Sequence, residues 1–462
     1  MHGTALHTNN PQRLTPTKGV RPNASLIKAT LIGALGGLLF GFDTVVISGA
    51  LDALVKLYHL GDVGKGWTVA IALIGTVLGS FSAGVVGQKL GGRETLRITA
   101  VLYVISALGS ALAWNWPALM VFRFIGGVGI GASSVLGPVY ITELSPAKWR
   151  GRLVGAFQFN VVFGILVAYT TNYLIRLLHL GATEWRWQVG IAAVPAVGFL
   201  VLLFSIPRSP RWSASQNQID EALEILKLMG EPDPEAELAE IRTALEQEHA
   251  TAHEPVFRWK YRYPLFLAIT IGAFNQLAGI NAILYYLNSI FAAAGFSQIS
   301  GDQQAIAIGF TNLIFTMVGM SVIDRLGRKM LLLIGAAGTA ACLAGVAWIF
   351  ATNSHQWALV WLLVIYIAFF ALSQGAVIWV YIGEVFPNHV RSKGQGVGNA
   401  SHWIMNTCIA LAFPVVATQL GRSMPFVFFA AMTALQFIVV LFTYPETKGQ
   451  TLEALQRRLV RA

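Results

Sequence analysis

Two charged side chains lie well inside otherwise apolar segments. Asp43 stands in GALGGLLFGFDTVVISGAL, and Arg123 stands in ALMVFRFIGGVGIG. A charge buried in hydrocarbon costs at least about 2.5–3.5 kcal/mol, so both should be paired or functional. Arginine stays protonated in proteins, so the carboxyl of Asp43 is the group that can exchange a proton. The pair is either a buried structural salt bridge or a proton switch.

A second polar group lies in the segment NQLAGIN, which includes Gln276 and Asn281. A lone amide in an apolar helix is often just an interhelical hydrogen bond. Three amides in one segment are harder to explain by packing, because each brings donors and acceptors that need partners. The segment is therefore a candidate ligand site.

Long apolar elements must position these groups. Hydrophobic residues make up 55% of the chain and charged residues only 12%. Apolar runs of about 20 residues, long enough to cross a bilayer, recur twelve times. Backbone polar groups in hydrocarbon need internal partners, and these runs lack the alternation of barrel strands, so they should be helices. The prediction is an all-α membrane protein with twelve transmembrane helices.

A polar stretch divides the twelve predicted helices into two sets of six. Apolar residues recur there at helical spacing, for example at Ala222, Ile225 and Leu226, which favours a small helical insert over a plain linker. Most Lys and Arg residues fall on one side of the predicted membrane, so that side and both termini should be cytoplasmic. The net charge of +10 then reflects orientation, and no nucleic-acid partner is expected. The predicted parts are a cytoplasmic tail (1–27), a first six-helix half (28–206), the cytoplasmic insert (207–261), a second six-helix half (262–444) and a cytoplasmic tail (445–462).

The two halves repeat each other. ELSPAKWRGR (143–152) matches EVFPNHVRSK (384–393), and GVVGQKLGGR (84–93) matches MSVIDRLGRK (320–329). Parallel repeats of this kind form secondary transporters with the substrate between the halves. The repeated acids and bases are either interface anchors or ion pairs that lock the cytoplasmic ends together when the outside is open. The predicted lock residues are Glu143, Arg150, Asp324, Arg328, Glu384 and Arg391.

These segments, in this order, resemble the sugar porter family of the major facilitator superfamily. Further matches are PRSPRW (207–212), NQLAGINAILYY (275–286) and PETKG (445–449). The resemblance is close to bacterial proton-coupled xylose and glucose carriers and to the human glucose facilitators. It implies a monosaccharide importer, for glucose or xylose first, that works by proton symport and alternating access in a bacterial inner membrane. The family's symporters carry an acid at the place of Asp43, which favours the proton switch with Arg123.

The resemblance also implies which side chains hold the sugar. Asn275 and His402 depart from the family's usual residues, so the identity of the sugar stays open. Amides would bind its hydroxyls, and an aromatic ring would stack on its C–H face. The implied residues are Gln158, Gln276, Asn281, Asn312 and Trp379, with Asn275, Tyr285, His402 and Trp403 nearby.

Other functions fit less well. A facilitator of the same fold would not need an acid at Asp43, and a sugar sensor would need a long cytoplasmic tail. No HExxH, P-loop or nucleophile-elbow motif indicates an enzyme. Cys342 and Cys408 are expected to be packing residues and not a disulfide or a metal pair. The sequence predicts no metal or cofactor beyond the coupling proton, and a monomer with lipid and sugar as its partners.

Overall fold

The described chain is helical, and no strand occurs in the residues that the structure describes. Eleven of its helical segments are long and apolar enough to cross a membrane. Gly92–Ala111 takes the place of the predicted third span, and Arg93, Glu94 and Arg97 near its start lower its hydropathy. The protein is a multi-pass membrane protein, as predicted. The computed structural model describes residues 22–146, 148–251, 254–387, 390–450, 455 and 459, so most of the predicted tail 1–27 and part of the tail 445–462 lie outside it.

Glycines let helices of the first half touch backbone to backbone. A Cβ added at Gly41 would stand 1.8 Å from the carbonyl oxygen of Val161, and one at Gly164 would stand 2.1 Å from that of Leu38. On the fourth helix, a Cβ added at Gly127 would stand 1.9 Å from a carbonyl oxygen of the second. Larger residues would force these helices apart. The helices are α1 (Ala24–Leu57), α2 (Asp62–Leu90), α3 (Gly92–Ala111), α4 (Trp116–Leu144), α5 (Arg150–Leu177), α6 (Glu184–Gly190) and α7 (Ala193–Leu202).

Three short helices form the insert. Ala222 and Leu226 share a small apolar core with Ile241, so the predicted amphipathic faces are buried against each other. The insert also contacts the start of α1, because Asn23 Nδ2 donates to the carbonyl oxygen of Leu228 at 2.8 Å. We call this side of the bundle the insert face and the other side the opposite face. The insert helices are α8 (Pro210–Ser215), α9 (Ile219–Met229) and α10 (Pro234–Thr251).

The seventh span is broken beside the amide segment. Its first helix ends at Leu277, and Gly279 adopts a φ of 83°, a left-handed conformation that glycine accepts without strain. Tyr366 donates to the carbonyl oxygen of Ala278 at 2.8 Å and so satisfies a group that the break leaves free. Broken spans are typical of substrate sites in secondary transporters. The second half consists of α11 (Arg262–Leu277), α12 (Ile280–Tyr285), α13 (Leu287–Ala293), α14 (Gln298–Leu326), α15 (Arg328–Thr352), α16 (Ala358–Phe370), a π-helical turn (Ala371–Gly375), α17 (Ala376–Glu384), α18 (Arg391–Gln419) and α19 (Met424–Thr443).

The predicted repeat of GVVGQKLGGR and MSVIDRLGRK is also a repeat of backbone conformation. Gly91, between α2 and α3, has φ 89° and ψ 153°. Gly327, between α14 and α15, has φ 90° and ψ 159°. A residue with a Cβ rarely adopts this conformation, so each glycine allows the same sharp turn at the insert face of its half.

Candidate transport site between the two halves

A buried chain of polar side chains starts at the break in the seventh span. Gln276 Nε2 donates to Asn275 Oδ1 at 3.0 Å, and Gln276 Oε1 accepts from Asn281 Nδ2 at 3.1 Å. The same Nε2 atom of Gln276 lies 3.2 Å from Nε2 of His402 on α18. Gln276 is 2% exposed and His402 is 6% exposed. The structure thus places four of the predicted side chains in one group, which we call the amide group.

Aromatic rings border the amide group. The ring of His402 lies 5.1 Å from that of Trp379 and 5.0 Å from that of Trp403. Phe40 of α1 contacts Trp403 at 5.8 Å, which brings the first half against the group. Trp403 is buried, whereas Trp379 is 41% exposed and leaves part of its indole uncovered. Buried amides beside an open aromatic face offer both kinds of contact that a sugar makes.

Two predicted sugar residues lie apart from the amide group. Gln158 on α5 is half-buried, and among the described residues it makes no hydrogen bond to that group. Asn312 on α14 is buried and accepts from Thr316 Oγ1 at 3.4 Å. Their helices belong to different halves and pack closely, since a Cβ added at Gly309 would stand 3.2 Å from Cα of Leu166. The structure therefore puts both amides at the boundary between the halves but does not join them to Gln276.

Asp43 and Arg123 line one small cavity together with Tyr285 and Trp403. The cavity has room for about one water molecule. Asp43 Oδ2 is buried and has no hydrogen-bond partner in the described part of the chain. Arg123 Nε donates instead to the carbonyl oxygen of Thr68 at 3.1 Å. Within the described residues the two charges share a cavity without forming an ion pair in this conformation.

Sequence reasoning missed two buried amides of the second half. Asn406 on α18 is 1% exposed, and its Nδ2 donates to the hydroxyl of Tyr285 at 3.0 Å. Its place one helical turn after His402, on the same face, is a signal that could have found it. Gln374 is equally buried, and neither of its amide atoms has a hydrogen-bond partner among the described residues. It lies in the π-helical turn, a distortion that is common at functional sites but invisible in a sequence pattern.

Ion pairs of the predicted lock lie at the insert face. Arg328 Nη2 contacts Glu384 Oε1 at 2.8 Å, and Arg328 Nη1 contacts Asp324 Oδ1 at 2.8 Å. All three residues belong to the second half, so in this conformation these pairs hold the ends of α14, α15 and α17 to each other. The other predicted members, Glu143, Arg150 and Arg391, lie at the ends of α4, α5 and α18.

The PETKG motif caps this cluster. Glu446 accepts from the backbone N–H groups of Arg328 and Lys329 at 2.9 and 3.0 Å, where α15 begins. Burial alone would raise the pKa of Glu446, but these two groups and the N–H groups of Thr447 and Lys448 hold the pKa below its ordinary value. A carboxylate at a helix N-terminus satisfies otherwise unpaired donors. The motif therefore stabilises the insert-face end of the second half.

Comparison with known proteins decides the family. The family described as "Sugar (and other) transporter" matches residues 29–459. The chain belongs to this family. As a sugar porter of the major facilitator superfamily it is a transporter and not an enzyme, and the recognition made from the sequence is confirmed.

The similar relatives and solved structures match this sugar porter over nearly its whole length. The arabinose-proton symporter of Bacillus subtilis is 35% identical over 97% of this chain and 99% of its own length. The D-xylose-proton symporter of Escherichia coli is 34% identical over 94% of this chain and 96% of its own length. A partially occluded inward-open structure of the E. coli xylose transporter XylE matches with a TM-score of 0.84 at 32% identity, over 93% of this chain and 100% of that one. Its complex with 6-bromo-6-deoxy-D-glucose matches with a TM-score of 0.79, at 32% identity over 94% of this chain and 99% of that one.

Proposed function

We propose that this sugar porter imports a monosaccharide, a hexose or a pentose, together with a proton across a bacterial inner membrane. The observation that carries the proposal is the cavity that Asp43 and Arg123 share with Tyr285 and Trp403. Trp403 also borders the amide group, which supports a proton side close to the proposed sugar side. Relatives named as proton symporters of arabinose and D-xylose support the coupling.

The amide group and Trp379 form the sugar side of the proposed site. Gln276 and Asn281 already satisfy each other at 3.1 Å, so a sugar hydroxyl can replace that contact with little loss. Gln158 and Asn312 approach from α5 and α14 and would complete the site when a sugar lies between the halves. Glucose and xylose remain the first candidates, because hydroxyl-binding amides alone do not discriminate between them.

Asp43 and Arg123 form the proposed proton side. Burial favours the neutral carboxyl and Arg123 favours the carboxylate, so small changes in their surroundings decide whether the proton is held. When Asp43 is protonated, Arg123 loses its counter-ion and needs other acceptors, such as the carbonyl of Thr68 that it contacts here. Because each conformation offers a different set of acceptors, proton binding shifts the balance between outward-open and inward-open forms.

Orientation is part of the proposal. Basic residues at the insert face suggest that this face is cytoplasmic, together with both termini. The Arg328–Glu384 pair lies within the second half, so a lock between the halves would need additional pairs, made by the other predicted lock residues across the halves while the outside is open.

Uptake into membrane vesicles tests the proposal. Labelled glucose and xylose are offered with and without an imposed inward proton gradient, and unlabelled sugars compete. Accumulation above the external concentration only with the gradient supports symport. Equal rates with no accumulation favour a facilitator of the same fold, and no uptake of any monosaccharide rejects the sugar site.

A further inference from the structure

Polar contacts connect the two halves at the opposite face. Lys65 Nζ on α2 contacts Asp52 Oδ1 of α1 at 3.2 Å. The same ammonium donates to Ser289 Oγ on α13 at 2.9 Å, and Ser289 donates to Asp52 Oδ1 at 2.8 Å. Asp52 and Lys65 belong to the first half and Ser289 to the second. The two contacts of Ser289 therefore exist only while the halves are together at this face.

A second and more buried contact lies beside the first. Asp302, near the start of α14, is 1% exposed, and Arg176, at the end of α5, is 9% exposed. Arg176 Nε donates to one carboxylate oxygen of Asp302, and Asn288 Nδ2 donates to the other. Arg176 also donates to Gly49 O at 3.2 Å and to Glu184 Oε1 at 3.0 Å, both in its own half. Separation of the halves would leave each buried charge without its partner across the interface, which is costly.

Both contacts reach the segment that carries Asn281 of the amide group. Asn288 and Ser289 are neighbours on α13, which follows directly on α12. Asn281 and Tyr285 lie on α12. Asn288 and Ser289 therefore belong to the same continuous run after the break as these two predicted site residues. The position of this run against the first half is thus fixed at its far end.

We infer that Asp302 is a positioning residue for transport, acting through Arg176 and Asn288. It holds α12 and α13 against the first half when the opposite face is closed, so that closure and the placement of Asn281 and Tyr285 occur together. This inference rests on the proposed function for its biological meaning, and on the contacts alone for its geometry. Removal of the Asp302 charge should destabilise only the form that is closed at this face, and so populate the form that is open there.

Thiol labelling tests the inference without sugar or a proton gradient. In a background with Cys342→Ala and Cys408→Ala, a cysteine replaces Ile165, a buried α5 residue one helical turn before Tyr169. Tyr169 donates to Leu284 O across the halves at 2.9 Å, so position 165 lies behind the closed face. A membrane-impermeant maleimide is applied at the opposite face. Asp302→Asn should raise the labelling rate at least about tenfold, equivalent to about 1.4 kcal/mol.

Glu184→Gln is the matched control, because Glu184 also accepts from Arg176 but within the same half. Its labelling rate should stay at the parent level, and Asp302→Glu should return the rate toward that level. Ser289→Ala, at the less buried contact, provides a second variant if Asp302→Asn does not fold, and should raise labelling several-fold. Labelling at the parent level in folded Asp302→Asn would overturn the inference. If Asp302→Asn does not fold, labelling at the parent level in Ser289→Ala would overturn it instead. An equal rise in the labelling rate of Glu184→Gln would also overturn it. Since the assay needs neither transport nor protons, its failure is distinct from failure of the symport proposal.

Discussion

Asp43→Asn is the most direct perturbation of the proposed proton side. The substitution keeps the shape of a side chain whose Oδ2 is buried without a partner in the described chain, and it removes the ability to titrate. Asp43 is the carboxyl that lines the cavity shared with Tyr285 and Trp403, which predicts one proton for each sugar. An imposed gradient of about two pH units is worth about 2.7 kcal/mol per proton. That free energy supports a sugar accumulation of about 100-fold.

Gradient-driven uptake in vesicles measures the effect. The parent protein should approach the 100-fold ratio at two pH units, and Asp43→Asn should equilibrate at a ratio of about one. Exchange of labelled for unlabelled sugar should persist in Asp43→Asn, because that step needs no change in protonation. Asp233→Asn is the matched control: Asp233 accepts from Ala236 N at 3.1 Å in the insert, and asparagine can do the same. If Asp43→Asn accumulates sugar as the parent does, the carboxyl is structural and the reasoning fails.

Three further predictions concern sugar binding and gating. Gln276→Ala and Asn281→Ala should each weaken sugar binding by about 1–3 kcal/mol, because a buried hydrogen-bond partner is left unsatisfied. Calorimetry on purified protein measures the affinity, and unchanged affinity in both variants contradicts the assignment. Trp379→Ala should slow sugar uptake without loss of protein from the membrane, whereas normal rates would mean that the indole only packs. Arg150→Ala and Arg391→Ala should increase thiol labelling from the insert face, and labelling at parent level would count against the lock.

Local patterns predicted the parts of the site that lie within one segment. Gln276 and Asn281 stand out because, together with Asn275, they interrupt one apolar run, and the broken helix between them follows from Gly279. Asn406 did not stand out, because a single amide in an apolar helix is common and only its contact with Tyr285 gives it meaning.

The Arg176–Asp302 pair could not be predicted, since its partners are far apart in sequence and each lies at the end of an apolar run. In a sequence, charges at such ends are most simply explained as membrane-interface anchors. Burial of both side chains is a property of the assembled halves, and spacing along the chain carries no information about it. The turn at Gly327 is the opposite case, because its motif occurs again around Gly91 in the first half, so a comparison of the two segments can find it.

The glycine contacts between α1 and α5 and between α2 and α4 affect how such a chain can vary by recombination. At Gly41 and Gly164 a helix backbone lies against the carbonyl of its neighbour, so the two helices must match residue by residue. An exchange of α1 alone between related genes would break that match. A crossover within the insert, between α7 and α11, leaves every such contact of the first half intact. Whole halves are therefore the natural unit of exchange, and new pairings of halves would vary the sugar site at their boundary without disturbing the helices that support it.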